Sequence, residues 1–131
     1  MATTTATLNA LGLAPILTVN DLQESIRFYE KLGFSIEERY EQEGKLNGVR
    51  LVAGQARLNL TQDDWAKGRD RVKGTAMRLY FPVEQDVDEL AGGIKAAGVS
   101  LERGPEDAYG GRAFMLIDPD GFKITVARGR S

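Results

Sequence analysis

The chain has 131 residues, 17 Lys+Arg against 19 Asp+Glu, a formal net charge of −2, and 42% apolar and 27% charged residues, the length of one domain or of two half-domains sharing a core. Its mildly acidic balance argues against nucleic acid as a partner, and no stretch reaches the roughly 18 unbroken apolar residues of a membrane span. The first basic residue is Arg27, which predicts no secretory signal and a cytoplasmic protein.

Cysteine and histidine are both absent. This excludes disulfides, thiolate nucleophiles, a Ser-His-Asp triad, an imidazole base and every Cys or His metal ligand. Any metal would have to be held by oxygen alone.

In chain order, residues 1–11 are small and Thr/Ala-rich, an arm that is either loose or exchanged with a partner subunit. Residues 14–19 form a predicted strand. A helix follows, opening at Asp21 with Glu24 three residues on and closing at Leu32-Gly33, with Leu22, Ile26, Tyr29 and Leu32 as its apolar stripe. Three strands are predicted next, over 34–40, 49–53 and 56–61. After a linker at 63–74 that carries Trp65 among charges, the pattern returns. A strand at 77–83 precedes a helix from Asp86 to Ala97-Gly98 with the stripe Val87, Ala91, Ile94 and Ala97, and strands follow at 99–103, 113–117 and 122–127. Asp21, Glu24 and Gly33 find counterparts in Asp86, Glu89 and Gly98, all offset by 65 residues. Asp118-Pro119-Asp120-Gly121 joins the last two strands as a turn. The expected organisation is an arm at 1–11, modules at 12–62 and 75–128, and the linker between them. Gly92-Gly93 weakens the second helix, and close helix–sheet or subunit packing is the expected reason.

Alternation gives each of four strands one apolar face and one mixed face. Leu58 and Leu60 oppose Arg57, Asn59 and Thr61. Leu79 and Phe81 oppose Arg78 and Tyr80. Ile124 and Val126 oppose Lys123 and Thr125, and Leu17 and Val19 oppose Ala14, Ile16 and Thr18. The mixed faces either meet solvent or line a ligand cavity, and alternation alone does not choose.

The run Leu17-Thr18-Val19-Asn20-Asp21-Leu22, then Phe28-Tyr29-Glu30-Lys31-Leu32-Gly33-Phe34, resembles the vicinal oxygen chelate superfamily of glyoxalases, extradiol dioxygenases and bleomycin-resistance proteins. Residues 86–99 and the Asp118–Gly121 turn resemble its second module. The resemblance implies an α+β fold of two βαβββ modules, each a cupped mixed sheet with the site inside the cup. It also implies that the four positions supplying His and Glu ligands in metal-dependent members fall on Ala14, Asn59, Arg78 and Thr125. Ala14 has no donor, Arg78 is a permanent cation, and Asn59 and Thr125 are neutral oxygens. The pattern is therefore similar to the metal-free branch, whose members sequester drugs, and no cofactor is expected.

A site of Arg78, Asn59, Thr125 and Tyr80 supplies hydrogen bonds and a positive charge, with Trp65 and Tyr109 as stacking surfaces and Arg112 in a glycine-rich loop. Trp65 has an alternative role as a lid over the core, and residues 109–112 as a plain turn. The expected function is non-catalytic capture of an aromatic or oxygenated small molecule, such as an antibiotic, by a homodimer. The alternative is a metal-free or unusually liganded lyase or isomerase using Tyr80, Tyr109, Glu84 or Asp107 as acid–base groups.

Overall fold

A computed structural model of the chain describes residues 6–69, 71–108 and 110–129. The order is β1 (Ile16–Val19), α1 (Leu22–Lys31), β2 (Ser35–Gln42), β3 (Lys45–Ala53), β4 (Ala56–Gln62), β5 (Arg78–Pro82), α2 (Val87–Ala96), β6 (Arg103–Ala108), β7 (Gly111–Ile117) and β8 (Lys123–Arg128). Two four-stranded sheets result, ordered β1-β4-β3-β2 and β5-β8-β7-β6. In each, the first and last strands of the module pair in parallel and the other pairs are antiparallel. The sequence-derived α+β fold of paired βαβββ units is the observed one.

Both helices begin as their sequence dictates. The Asp21 carboxylate accepts from the Glu24 N–H at 3.2 Å and Asp86 from the Glu89 N–H at 3.0 Å, satisfying donors that have no intrahelical partner. Gly33 and Gly98 follow the helix ends at φ +108° and +93°, where a side chain would be strained. Leu22, Ile26 and Tyr29 of α1 and Val87, Ala91 and Ile94 of α2 are buried. Ala97, expected in the second stripe, is instead the exposed C-cap, because α2 ends at Ala96. The helices and the apolar strand faces form a single core that spans both modules.

Three further expectations change. The strand predicted at 49–53 begins at Lys45, because Glu43 and Gly44, both at positive φ, make a two-residue hairpin turn between Gln42 and Lys45. The strand predicted at 99–103 is displaced to Arg103–Ala108, a segment of Gly, Pro and charges with little strand propensity. It survives as the outer edge of its sheet, where a proline costs no ladder bond. The close packing expected at Gly92-Gly93 is absent within the chain, since a Cβ at either position would meet no atom within 4 Å.

Candidate functional site

The helix of each module covers the apolar sheet face, leaving the mixed face outward. Register orders that outer face into rows. Across the first sheet, Ile16, Asn59, Arg50 and Glu38 lie side by side, flanked by the row of Thr18, Thr61, Gly48 and Tyr40. Across the second sheet the central row is Tyr80, Thr125, Met115 and Arg103, with Arg78, Lys123 and Ile117 beside it. Arg78, Tyr80 and Thr125 therefore share one face, and Asn59 holds the corresponding place on the other sheet.

Thr125 is buried and Asn59 half-buried, whereas Tyr80 is 50% exposed and Arg78 is exposed. On the outer face of the first sheet Arg50 and Arg57 are paired with carboxylates. Arg50 reaches Glu38 at 3.5 Å and donates from Nε to Asn59 Oδ1 at 3.4 Å, and Arg57 pairs with Glu37 at 3.2 Å. On the second sheet Arg103 pairs with Glu106.

The remaining sequence-derived candidates sit elsewhere. Arg112 is in register with Arg128 and alternates with buried Ala113, so it points to the helix side with Phe114 and Leu116. There it donates from Nε and Nη2 to the two oxygens of Asp88 at 2.9 Å each, and from Nη1 to Asp107 at 3.3 Å. The hydrogen bonds and charge of Arg112 hold the Asp88 carboxyl below its ordinary range. Arg112, expected in a glycine-rich loop, instead stands on β7, which begins at Gly111, and straps the sheet to α2. The indole of Trp65 donates to Asn20 Oδ1 at 2.8 Å, and the Arg69 guanidinium covers its ring at 4.5 Å, so it ties the linker to the β1–α1 junction. Tyr109 lies outside the described residues.

A second polar cluster went unread in the sequence. Asp118 and Asp120, in the turn between β7 and β8, reach into the first module. The Tyr29 hydroxyl donates to Asp118 Oδ2 at 2.7 Å, the Asn20 N–H to Asp120 Oδ1 at 2.9 Å and Ser25 Oγ to Asp120 Oδ2 at 3.4 Å. Asp118 Oδ1 meanwhile accepts the N–H groups of Asp120 and Phe122 at 2.9 and 2.8 Å. Burial pushes the Asp118 carboxyl above its usual range, against the pull of the Tyr29 hydrogen bond, and burial beside Asp118 raises the Tyr29 phenol as well. The signal available was the polar tip of Tyr29 in an otherwise apolar stripe, since a buried hydroxyl needs a partner.

These features define a class: duplicated βαβββ modules, helices inward, with an outer face of mixed polarity on each sheet. The model of the Glyoxalase/Bleomycin resistance protein/Dioxygenase superfamily matches residues 8–126, and the chain belongs to that family. A virulence protein of Salmonella typhimurium, STM3117, is 31% identical over 121 residues, covering 86% of this chain and 80% of the relative. Among solved structures, the antibiotic-binding protein TnmS3 from Streptomyces sp. CB03234 superposes with a TM-score of 0.72 at 22% identity, over 95% of this chain and 100% of that one. A bleomycin-binding protein in complex with bleomycin superposes with a TM-score of 0.65 at 22% identity, over 92% and 100% of the two chains. At that identity the two structures bear on the fold.

A divalent metal does not fit the donor set at the family's chelating positions. Asn59 Oδ1 is within reach of the Arg50 guanidinium, Thr125 offers a neutral hydroxyl, and Arg78 adds a cation. Ala14 precedes β1 and has no donor atom. Fixed positive charge next to neutral oxygens repels the ion that those positions would have to hold.

Proposed function

We propose that the chain is a non-catalytic small-molecule binding protein that sequesters an aromatic or oxygenated compound, such as an antibiotic, on the outer sheet faces without a metal. The observation that carries this is the chemistry of the four chelating positions: Ala14 has no donor, Arg78 is a cation, and Asn59, bonded by Arg50, and Thr125 are neutral oxygens, a set unfit for a metal that can hydrogen-bond a neutral or anionic organic molecule. The antibiotic-binding structures of the same fold support the choice of ligand class. Among the described residues, the carboxylates considered for the enzymatic alternative are paired or exposed in a loop. Asp107 is engaged by Arg112, Glu84 is exposed in the loop before α2, and Glu106, on the outer face, is tied to Arg103.

The protein works as a cytoplasmic homodimer in this reading. Ile16, Tyr80 and Ile117 stand exposed on the outer faces, and Leu8, Leu11 and Leu13 are almost fully exposed in the arm that precedes β1. A second copy that covers these side chains would remove a large apolar surface from water. The test is a thermal-shift and calorimetric screen of antibiotics and planar oxygenated compounds, with mass spectrometry of the recovered ligand. Stoichiometric binding with the ligand recovered unchanged is expected, with or without chelator. Recovery of a converted product, or turnover that requires Mn²⁺, Ni²⁺ or Fe²⁺, would overturn the reading.

A further inference from the structure

Arg78 and Lys123 are register partners on neighbouring parallel strands, so their side chains leave the same face of the second sheet side by side. Like charges placed directly across a strand pair oppose folding. The other arginines of the outer rows are each matched to a carboxylate: Arg50 to Glu38, Arg57 to Glu37, Arg103 to Glu106. Among the described residues, no acidic side chain pairs with Arg78 or Lys123.

These two cations line a cleft of about 400 Å³ together with Gly74, Ala76 and Met77. The opposite lip of the cleft is built closely and under strain. The Gly74 N–H donates to the Asp120 carbonyl at 3.1 Å, and a Cβ on Gly74 would lie 2.1 Å from the Gly121 carbonyl carbon. Ala76 is held at φ +62°, a conformation that costs a non-glycine residue and that clusters at binding sites. One row along the same face stands the half-exposed ring of Tyr80, about 6–7 Å from Arg78 along the strand.

We propose that the Arg78–Lys123 cleft is an oxyanion anchor, and that the ligand class is the planar aromatic carboxylate, with its carboxylate between the two cations and its ring against Tyr80. This deepens the proposed binding function and rests on it. An unmatched pair of cations on rigid strands is already positioned for a bound oxyanion, whose charge would relieve their repulsion.

The test uses the full chain with three probes: 2-naphthoate, its neutral isostere 2-naphthamide, and inorganic phosphate as competitor. Calorimetry gives affinities and backbone amide shifts give location. The acid should bind at least roughly ten-fold more tightly than the amide, about 1.4 kcal/mol, with shifts centred on β5 and β8. Phosphate should compete with the acid and leave the amide in place. Arg78→Gln and Lys123→Gln should each reduce the preference for the acid to near unity without lowering the melting temperature, whereas Lys95→Gln on α2 should preserve it. Equal affinity for acid and amide, or a preference that survives Lys123→Gln, would overturn the anchor while leaving the small-molecule reading intact. If neither naphthalene probe shifts β5 or β8, the anchor fails, and the antibiotic screen decides the small-molecule reading separately.

Discussion

Replacing Tyr29 with Phe removes one oxygen from the place where the modules meet. The ring itself should stay, since Phe28 and Phe34 hold it edge-to-face at centroid distances of 5.1 and 5.7 Å. What is lost is the 2.7 Å bond to Asp118 Oδ2, between residues with 0% and 4% of their surface exposed. Asp118 Oδ1 remains engaged by two backbone N–H groups, so the orphaned oxygen has no replacement donor and no access to water. A buried hydrogen bond to a carboxylate is worth about 1.5–3 kcal/mol, and leaving the acceptor unpaired places the cost toward the upper part of that range. For a chain of this length about 2 kcal/mol corresponds to a fall in Tm of about 7 °C.

The pH dependence carries a sign of its own. Burial raises the folded-state pKa of Asp118, so over the window above the ordinary carboxyl value the folded protein keeps a proton that the unfolded chain releases. Stability therefore falls as pH rises through that window. The Tyr29 hydrogen bond holds the pKa down, so Tyr29→Phe raises it further and widens the window. The variant's deficit should be full once pH exceeds the folded pKa and should shrink on acidification, as the carboxyl becomes neutral. Urea unfolding at about pH 7.5 and about pH 4.5 measures both effects. A deficit under about 0.5 kcal/mol at the higher pH, or one that does not change with pH, would refute the account of a buried, charge-assisted latch. Asp118→Asn keeps the side-chain oxygen that accepts the Asp120 and Phe122 N–H groups and discards the buried charge, so it should cost little and flatten the pH profile.

Gly92→Ala and Gly93→Ala should each stabilise the protein by about 0.5–1 kcal/mol in thermal unfolding, because both sites are helical and a Cβ there meets open space; a loss would reveal a neighbour absent from the single chain, such as a second copy. Gly74→Ala should destabilise by about 1–3 kcal/mol in urea, since its Cβ would collide with the backbone of Gly121 and Phe122. Arg112→Gln should return the Asp88 carboxyl towards its ordinary range in an NMR titration and leave ligand affinity unchanged; weakened binding would place Arg112 at the ligand after all. Asp63 is pushed upward by burial, but the hydrogen bond from Arg71 and the charge of Lys73 3.4 Å away outweigh this and hold it below the usual carboxyl range. Its contribution to stability is present above the unfolded pKa and lost as pH falls through the folded one, so Asp63→Asn should lose its stability deficit in acid.

The duplicated fold was legible because each module repeats strong local instructions: an aspartate cap, a 3.6-residue apolar period, a closing glycine and alternating strands, all at one offset. Such signals act within about ten residues, and the elements that they govern stand close to where they were expected. Strand β6 was misplaced because Arg103-Gly104-Pro105-Glu106 carries no strand signal; its pairing with β7 is imposed by the neighbouring strand. At the site, alternation put Arg78, Tyr80, Asn59 and Thr125 on the outer faces, as the register confirms. Arg112 was assigned to the ligand because its loop was read as glycine-rich and free, whereas the strand starts at Gly111 and its phase turns the side chain toward α2. The contacts of Trp65 with Asn20 and of Tyr29 with Asp118 span 45 and 89 residues. No local pattern encodes partners at that separation; only the packed chain selects them.

The turn at Asp118–Gly121 gives the latch and the cleft a common origin. Its side chains bond Tyr29, Ser25 and Asn20 of the first module, while its backbone accepts Gly74 from the linker and its last residues lead directly into Lys123. Gly74 in turn forms the lip that faces Arg78. Four residues thus fix the docking of one module on the other and also the distance between linker and sheet at the cationic cleft. A rigid turn of this kind explains why two like charges can be kept close together at the end of β5 and β8. Fixed cations lose little conformational freedom when an anion arrives, whereas the same two side chains on a loose loop would separate and surrender most of the attraction. Asp118 and Asp120 are therefore better understood as the support of the proposed cleft than as a second site: every hydrogen bond that they accept comes from the chain itself.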